Sequence, residues 1–182
     1  MSEQDRIRWD QRYRGETAGI EPGLPPRFAA FQDWFPVEGR ALDLACGRGS
    51  AAVWLAMRGM EVLGVDVSPV AIEDAIALAD EAGVADRCRF LVHDLDGGLP
   101  EGPSVAVLIC HLFRDDRLDR AMLDRLAPGG LLAIAVLSEA GSGRGRFRAS
   151  PDELRQTWSG LDIVADGDHG GVAWLIGRRL SD

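Results

Sequence analysis

The most informative stretch of this chain is Ala41-Leu42-Asp43-Leu44-Ala45-Cys46-Gly47-Arg48-Gly49. It runs from a short apolar segment through a carboxylate and a glycine turn into a helical pattern. A strand buried in a parallel sheet is usually apolar throughout, because an ionised side chain is costly to desolvate. Asp43 near the end of the strand therefore indicates a charge held at the mouth of a site. The glycines allow the backbone to approach a ligand where a Cβ would collide.

Two further carboxylates stand at equivalent places downstream. Asp66 follows the apolar run 62–65, and Asp94 follows the run 90–93. In an open α/β sheet, ligands bind beyond the carboxyl ends of the strands, where the strand order reverses. Three successive strands that each end in an aspartate therefore predict one acidic crevice at that edge of the sheet.

Composition restricts the class of protein. The 182 residues are enough for one domain with a full core. The formal net charge of −9 argues against nucleic acid as the main partner, because phosphate binding needs clustered lysine and arginine. Residues 1–6 lack the apolar core of a signal peptide, and the longest apolar run, 131–137, is too short to span a bilayer. Cys46, Cys88 and Cys110 have no zinc-type spacing. We therefore expect reduced thiols, no metal site, no membrane partner and a cytoplasmic location.

Strands and helices alternate along most of the chain. Periodicity predicts strands at about 40–45, 61–66, 88–93, 104–110, 130–138, 160–165 and 171–178. It predicts helices at 3–14, 50–58, 69–82, 115–126 and 151–158. The alternation indicates an α/β fold with a Rossmann-like, doubly wound, mostly parallel sheet of seven strands. The last two strands are separated only by 166–171, which is too short for a helix, so they are expected to form an antiparallel hairpin.

Several helix ends carry their own signals. Ser68 and Pro69 supply an N-cap and a proline at the first helical position. Ser150 and Glu153 have the spacing of a capping box, which places Glu153 at the third helical position. The run 128–130, Pro-Gly-Gly, is predicted to end the helix before it and to turn into the next strand.

The polar groups at the sheet edge fit an adenosine ligand with a cationic end. Asp66 suits the acceptor of hydrogen bonds from a ribose, and Gly47 and Gly49 bring backbone N–H groups to the start of a helix. Asp94 offers an acceptor to an adenine amine. Asp43 would repel a pyrophosphate and favour an ammonium or a sulfonium. This argues against a dinucleotide, although 47–52 matches the degenerate G-x-G-x-x-A pattern. S-adenosylmethionine is the common metabolite with all three features.

The same residues resemble a known family. Residues 43–49 are similar to motif I of class I S-adenosylmethionine-dependent methyltransferases, with Ala45 at the usual first glycine. Residues 64–71 and 93–95 resemble the second and third motifs, and 104–110 with 126–130 resembles the fourth strand and the following turn. The segments Trp9-Asp10-Gln11-Arg12-Tyr13 and Pro25-Pro26-Arg27-Phe28 resemble the tellurite-resistance and thiopurine methyltransferase-like subgroup.

The resemblance implies a set of site residues. The predicted cofactor-binding residues are Asp43, Ala45, Gly47, Gly49, Asp66, Val67, Asp94, Leu95, Cys110, Trp9 and Tyr13. His111 follows the fourth strand, where the sulfonium of the donor should point, and is the candidate catalytic base. A basic island in a glycine-rich loop is the candidate substrate site, with Arg144, Arg146 and Arg148. Each of these has a simpler interpretation as packing or as a solvated side chain.

The predicted organisation is an N-terminal arm and helical lid at 1–36, followed by a methyltransferase domain at 37–182. The predicted function is methyl transfer from S-adenosylmethionine to a small molecule, with a thiol, selenium or tellurium species as a soft or anionic acceptor that needs no strong base. Two alternatives remain open from the sequence: a nicotinamide-dependent oxidoreductase and an S-adenosylmethionine-binding domain without turnover.

Overall fold

One mixed sheet organises the chain. The computed structural model describes residues 3–15, 19–139, 148–150 and 152–181. The strands are β1 (Arg40–Leu44), β2 (Glu61–Asp66), β3 (Cys88–Val92), β4 (Val105–His111), β5 (Leu126–Ser138), β6 (Arg148–Ala149), β7 (Leu161–His169) and β8 (Val172–Arg179). They lie in the order β3-β2-β1-β4-β5-β8-β7, and β6 pairs with β5 off this path.

The directions of the strands confirm the predicted fold class. Strand β1 is parallel to β2 and β4, and β2 is parallel to β3 as β4 is to β5. Strand β8 is antiparallel to both β5 and β7, as the short connection predicted. The strand order reverses between β1 and β4, which puts the carboxyl ends of β1, β2 and β4 around one crevice.

Two strand features differ from the prediction. Strand β5 begins at Leu126, before the Pro-Gly-Gly turn, because Leu126 already pairs with Val105 ahead of a register shift in β4. Strand β6 is additional to the seven predicted strands and consists of two residues that pair with Leu137 and Ser138. A two-residue strand is too short to show a periodicity, so it could not be predicted from the sequence.

The described residues contain the five predicted helices, with different ends, and a short helix at Pro26–Ala29 that was not predicted. The helices are α1 (Glu3–Gly15), α2 (Pro26–Ala29), α3 (Ser50–Met57), α4 (Pro69–Glu81), α5 (Asp119–Arg125) and α6 (Glu153–Thr157). Ser68 caps α4, and its Oγ accepts a hydrogen bond from the N–H of Ala71 at 3.2 Å. None of the helices in the described part of the chain is long and apolar enough to cross a membrane.

Helices α5 and α6 begin later in the chain than the sequence predicted. A 3-10 turn at Asp116–Leu118 precedes α5, because the Asp115 carboxylate accepts from the N–H of Arg117 at 3.0 Å and caps this turn. The capping pair at α6 is present, since the N–H of Ser150 donates to the Glu153 carboxylate at 3.1 Å. Glu153 is nevertheless the first residue of α6 and not its third.

The two faces of the sheet carry separate apolar clusters. Leu108 and Cys110 on β4 belong to one cluster, which also contains Trp158, whereas Val107 and Ile109 belong to the other. This alternation follows from the two-residue period of a strand. On β1, Asp43 has the parity of Ala41 and lies on the face that α3 and the segment around Phe28 cover. The acidic side chain therefore points toward the start of α3 and the N-terminal segment.

Candidate functional site

A cavity of about 350 Å³ lies at the carboxyl ends of β1, β2 and β4. This volume is in the range of small-molecule sites. Its wall comes from α1, from the connector 23–26, from the turn between β1 and α3, and from the loop that follows β4. The lining residues are Trp9, Arg12, Tyr13, Gly23, Leu24, Pro25, Pro26, Asp43, Ala45, Cys46, Gly47, Arg48, Ser50, Ala51, Asp66, His111, Leu112 and Phe113.

The turn after β1 owes its shape to three residues in left-handed backbone conformation. These are Ala45 (φ +52°), Gly47 (φ +52°) and Gly49 (φ +82°). A Cβ at Gly47 would lie 3.0 Å from the Tyr13 hydroxyl, and one at Gly49 would lie 2.7 Å from the Cβ of Ala75. Glycine is therefore required at both positions by conformation and by space. Ala45 adopts the same conformation with a methyl group, which costs about 1–2 kcal/mol.

Asp43 is a buried carboxyl at the floor of the cavity. Its side chain lies between Gly64 on β2 and Ile109 on β4 in the sheet register. Among the described residues, its Oδ2 atom is buried and has no hydrogen-bond partner. Burial, together with the charge of Asp66, raises the pKa of Asp43 to about 8. An unpartnered buried carboxylate is costly, so a cation in the cavity would relieve it.

Asp66 is held by two backbone donors. Its Oδ2 accepts from the N–H of Gly47 and its Oδ1 from the N–H of Ser68, each at 2.9 Å. Burial raises the pKa of Asp66, and these hydrogen bonds oppose the rise because they favour the charged form. The carboxylate also lines the cavity, and each of its oxygens has capacity for a further donor.

His111 ends β4 at the opposite wall. Its ring meets Phe28 edge-on, with 6.3 Å between the ring centroids. Burial lowers the pKa of His111 to about 4, so the imidazole is neutral near pH 7. The next residue, Leu112, has φ +59°, and its N–H donates to the carbonyl of Ala135 at 2.7 Å. A bulky residue in this conformation is strained, and such strain is concentrated at functional sites.

Helix α1 closes one side of the cavity. Trp9 and Tyr13 stack with 5.8 Å between their centroids, and the Arg12 guanidinium lies 5.1 Å from the Trp9 ring centroid. The connector forms another side, because the Ser50 hydroxyl donates to the carbonyls of Glu21 and Gly23. These contacts position Leu24, Pro25 and Pro26 beside the turn.

The structure brings many of the predicted site residues to this cavity. Those that line it are Trp9, Tyr13, Asp43, Ala45, Gly47, Asp66 and His111. Gly49 does not line the cavity; it precedes α3 and packs close to Ala75. Val67, Leu95 and Cys110 are buried outside the lining. Their predicted contacts with a cofactor stay predictions.

Asp94 lies away from the cavity lining. Its side chain is exposed and accepts from the N–H of Asp96 at 2.9 Å, which caps a 3-10 turn at Leu95–Gly97. A short polar side chain after a strand serves as a turn cap as readily as a ligand contact, and the sequence does not separate the two.

The predicted arginine loop is described only at one residue. Arg144 and Arg146 lie outside the described residues. Arg148 belongs to β6, and its guanidinium donates to the carbonyl of Ser138 at 2.8 Å. It is absent from the lining of the described cavity, so the contact that it makes is one between neighbouring strands.

Several lining residues were not predicted. Arg12 and Arg48 lie next to predicted residues, and Phe113 lies two residues after His111. In the connector 23–26, only the subgroup resemblance marks Pro25 and Pro26. A proline pair directly before an aromatic segment is a signal for a rigid wall, because proline fixes φ and lacks an N–H.

Comparison with known proteins identifies the domain. Residues 41–130 match the family described as "Methyltransferase domain". Ribosomal protein L11 methyltransferase of Thermus thermophilus is 32% identical over 131 residues, which cover 65% of this chain and 49% of that protein. The chain spans between 34% and 49% of the length of the first two curated relatives that it matches.

Solved structures share the fold. TehB from Haemophilus influenzae has a TM-score of 0.74 at 14% identity, covering 96% of this chain and 66% of that one. A methyltransferase from Geobacter sulfurreducens in complex with S-adenosylhomocysteine has a TM-score of 0.69 at 17% identity, covering 96% and 98%. A structure described by the conversion of a disulfide bond into a thioacetal group in echinomycin biosynthesis has a TM-score of 0.67 at 26% identity, covering 97% and 92%.

The chain therefore carries a class I S-adenosylmethionine-dependent methyltransferase domain. S-adenosylmethionine is the cofactor of this family. The predicted family and cofactor are confirmed, and the matches favour a methyltransferase over a nicotinamide-dependent oxidoreductase.

Proposed function

We propose that this protein transfers the methyl group of S-adenosylmethionine to a small molecule that arrives as a soft or anionic nucleophile. The observation that carries the proposal is that one cavity is lined both by Asp43, a buried carboxyl whose Oδ2 has no partner among the described residues, and by the neutral imidazole of His111. The Asp43 carboxyl suits a cationic methyl donor. The His111 imidazole is too weak a base to deprotonate an acceptor with a high pKa.

The residues of the cavity fit the cofactor. Asp43 would face its positive methionine end, because the Oδ2 atom is buried and lacks a partner among the described residues. Asp66 would accept from the ribose hydroxyls, and Asp94 remains our candidate for the adenine amine. Gly47 leaves space beside the turn where a side chain would collide with Tyr13. When bound, the cofactor supplies a methyl group already activated on a sulfonium.

The protein then has to align the acceptor and exclude water. Alignment of two reactants can contribute roughly 7–11 kcal/mol to lowering a barrier. Trp9 and Tyr13 on one side and Leu24, Pro25 and Leu112 on the other give the cavity a largely apolar wall. Such a wall keeps water from an anionic sulfur, selenium or tellurium atom, whose nucleophilicity water would reduce.

His111 limits the kind of acceptor. An imidazole whose pKa is lowered to about 4 removes a proton poorly from an alcohol or an ammonium group. A thiol with a pKa near 8 reaches the site partly ionised and needs no such help. In this proposal His111 orients the acceptor, or holds its proton briefly, and does not act as a strong base.

Two similarities support a soft acceptor. TehB, a methyltransferase linked to tellurite resistance, shares the fold of this chain. The echinomycin-pathway structure, which also shares the fold, concerns the conversion of a disulfide bond. Other relatives are named for ribosomal protein L11 and for 23S rRNA, so macromolecular acceptors belong in the test.

The test is an acceptor panel with S-adenosylhomocysteine formation as the readout. The panel contains aryl and alkyl thiols, selenite, tellurite, a phenol, an amine, ribosomal protein L11 and ribosomal RNA. We expect turnover with a thiol, selenium or tellurium species. Turnover confined to the phenol, the amine or a macromolecule would contradict the acceptor class. Tight cofactor binding with no turnover of any acceptor would indicate a binding domain.

A further inference from the structure

The buried anchor of helix α1 is a carboxylate. All thirteen residues of α1 are described, and Asp10 is the buried one. Ile7, an apolar residue of the same helix, is 43% exposed, whereas the Asp10 side chain is 7% exposed. Pairing and hydrogen bonding stabilise a buried carboxylate, and Asp10 has both.

One partner of Asp10 is Ser68, which is hydrogen-bonded to the cavity-lining Asp66. The hydroxyl of Ser68 donates to Asp10 Oδ1 at 2.5 Å, and the Arg6 guanidinium donates to Oδ2 at 3.1 Å. Ser68 is fully buried, and its Oγ also accepts from the N–H of Ala71 as the cap of α4. Both the proton and a lone pair of this hydroxyl are thereby committed, which fixes the position of Asp10.

A continuous run of hydrogen bonds leads from α1 to the turn after β1. The N–H of Ser68 donates to Asp66, and the other oxygen of Asp66 accepts from the N–H of Gly47. Tyr13, one helical turn after Asp10, carries the hydroxyl that lies nearest to a Cβ built on Gly47. Trp9, which precedes Asp10, lines the same cavity. The position of α1 and the position of the cavity floor are therefore coupled.

We propose that Asp10 is a positioning residue whose hydrogen bond with Ser68 holds α1 across the cofactor cavity and controls the release of S-adenosylhomocysteine. The inference rests on the proposed placement of the cofactor against Asp43 and Asp66. A ligand beneath Trp9 and Tyr13 leaves only after α1 moves away, and α1 moves away only after the Asp10–Ser68 contact breaks.

The coupling is reciprocal by thermodynamic necessity. If the docked helix raises the affinity for the ligand, the bound ligand must favour the docked helix by the same free energy. Asp10 is the buried residue of α1, so loss of its contact with Ser68 removes a buried anchor of the helix. Asp10→Ala is therefore expected to raise both the dissociation rate of S-adenosylhomocysteine and the accessibility of α1.

The experiment compares Asp10→Ala, Asp10→Asn and the matched control Glu3→Gln. Glu3 also carries a negative charge on α1 and pairs with Arg6, but it is exposed and does not contact Ser68. One readout is the dissociation rate of S-adenosylhomocysteine, followed by tryptophan fluorescence in stopped flow. The other is the rate of tryptic cleavage within α1, which offers arginines at 6, 8, 12 and 14, with and without S-adenosylhomocysteine.

In the unmodified protein, S-adenosylhomocysteine should slow tryptic cleavage of α1. Asp10→Ala should dissociate the ligand at least tenfold faster and lose most of this protection. Asp10→Asn keeps an acceptor oxygen for Ser68, so its dissociation and cleavage rates should lie between those of the unmodified protein and of Asp10→Ala. Glu3→Gln should match the unmodified protein. Adding Ser68→Ala to Asp10→Ala should change the two rates little further, because their mutual contact is already lost. The loss of the α4 cap in the double variant should appear in its stability.

The outcomes separate this inference from the proposed function. Unchanged dissociation and unchanged cleavage in both Asp10 variants, with binding intact, would overturn the role of Asp10 and leave the cofactor site in place. Failure of the unmodified protein to bind S-adenosylhomocysteine would overturn the proposed function itself. If Asp10→Ala unfolds, the Asp10→Asn variant decides by the same two rates.

Discussion

The backbone N–H of Gly47 donates a 2.9 Å hydrogen bond to the carboxylate of Asp66, which joins the turn after β1 to the end of β2. The proposed ribose acceptor is thus also a structural partner of the turn. A change at Asp66 should therefore affect both ligand affinity and stability, and the two effects can be measured separately.

Asp66→Ala should weaken S-adenosylhomocysteine binding at least tenfold, because it removes a charged hydrogen-bond acceptor worth about 1.5–3 kcal/mol. It should also lower the free energy of unfolding by about 1–3 kcal/mol, since the N–H groups of Gly47 and Ser68 lose their acceptor. Calorimetry and urea denaturation measure the two effects. Glu73→Ala, an exposed carboxylate on α4, is the control and should change neither. A stability loss with unaltered affinity would remove Asp66 from the ribose site.

Asp43→Asn should abolish a proton release that accompanies cofactor binding. The pKa of Asp43 is about 8 without ligand, so the group is mostly protonated at pH 7. A cation beside it would lower that pKa, and most of one proton would leave. Titration of S-adenosylmethionine in buffers of different ionisation enthalpy counts these protons. Equal proton release in the variant would show that the cation does not approach Asp43.

The same substitution should alter the pH dependence of stability. Folding raises the pKa of Asp43 from an ordinary value of 3.8 to about 8. Unfolding then favours ionisation, so this carboxyl lowers stability progressively as the pH rises between those two values. Asp43→Asn should flatten the curve of unfolding free energy against pH over that interval, as urea melts at several pH values will show. A curve of unchanged slope would contradict the buried state of the group.

His111→Gln should reduce kcat/KM for a thiol acceptor less than tenfold. The loss of a true general base costs typically 10²–10⁴-fold. In the unmodified protein, the rate should follow ionisation of the acceptor thiol, with no inflection near 6.5, because burial lowers the pKa of His111 to about 4. A pH-rate profile that keeps an inflection near 6.5 and loses it in the variant would assign His111 as the base.

Ala45→Gly should stabilise the protein by up to about 1 kcal/mol. The gain from relieving a left-handed alanine exceeds the entropy that glycine loses on folding by about this amount. Ala77→Gly, in the exposed middle of α4, should destabilise by about 1 kcal/mol and serves as the matched control. Denaturation midpoints that fall in both variants would show that the methyl of Ala45 has a packing role.

The arginine loop can be tested in two parts. Replacing Arg144 and Arg146 together by Gln should raise the KM for an anionic acceptor and reduce the salt dependence of kcat/KM, because salt screens exposed charges. Arg148→Gln should leave that salt dependence intact and lower stability, since Arg148 donates to the Ser138 carbonyl. If neither variant alters KM for any accepted substrate, the two arginines at 144 and 146 are solvated side chains.

The fold was predictable because its signals are local and repeated. Apolar runs at 61–66 and 105–111 alternate with capped helices such as α4, and this alternation alone implies a parallel sheet. The antiparallel end followed from the length of one connection. Strand β6 escaped prediction because it is only two residues long. The late start of α5 escaped it because the Asp115 carboxylate caps a 3-10 turn before the helix.

The site was predictable where a residue type conflicts with its surroundings. Asp43 in an apolar strand is such a conflict, and the structure puts it at the cavity. Asp10 is a charged residue in a charged helix, so nothing in its neighbourhood marks it as buried. Asp94 was predicted as a ligand contact and caps a turn in the structure. An aspartate after a strand can serve either purpose, so its position in the sequence does not distinguish them.

The place of β8 has a consequence for how the protein is made. Strand β8 lies between β5 and β7 and supplies the partner for residues 131–137 of β5. During synthesis, β5 emerges some forty residues before that partner, so its apolar edge stays open in the nascent chain. An open apolar edge is a template for pairing with other chains. Nascent chains that stall before residue 172 should therefore depend on chaperones. A slow stretch of translation there would increase aggregation.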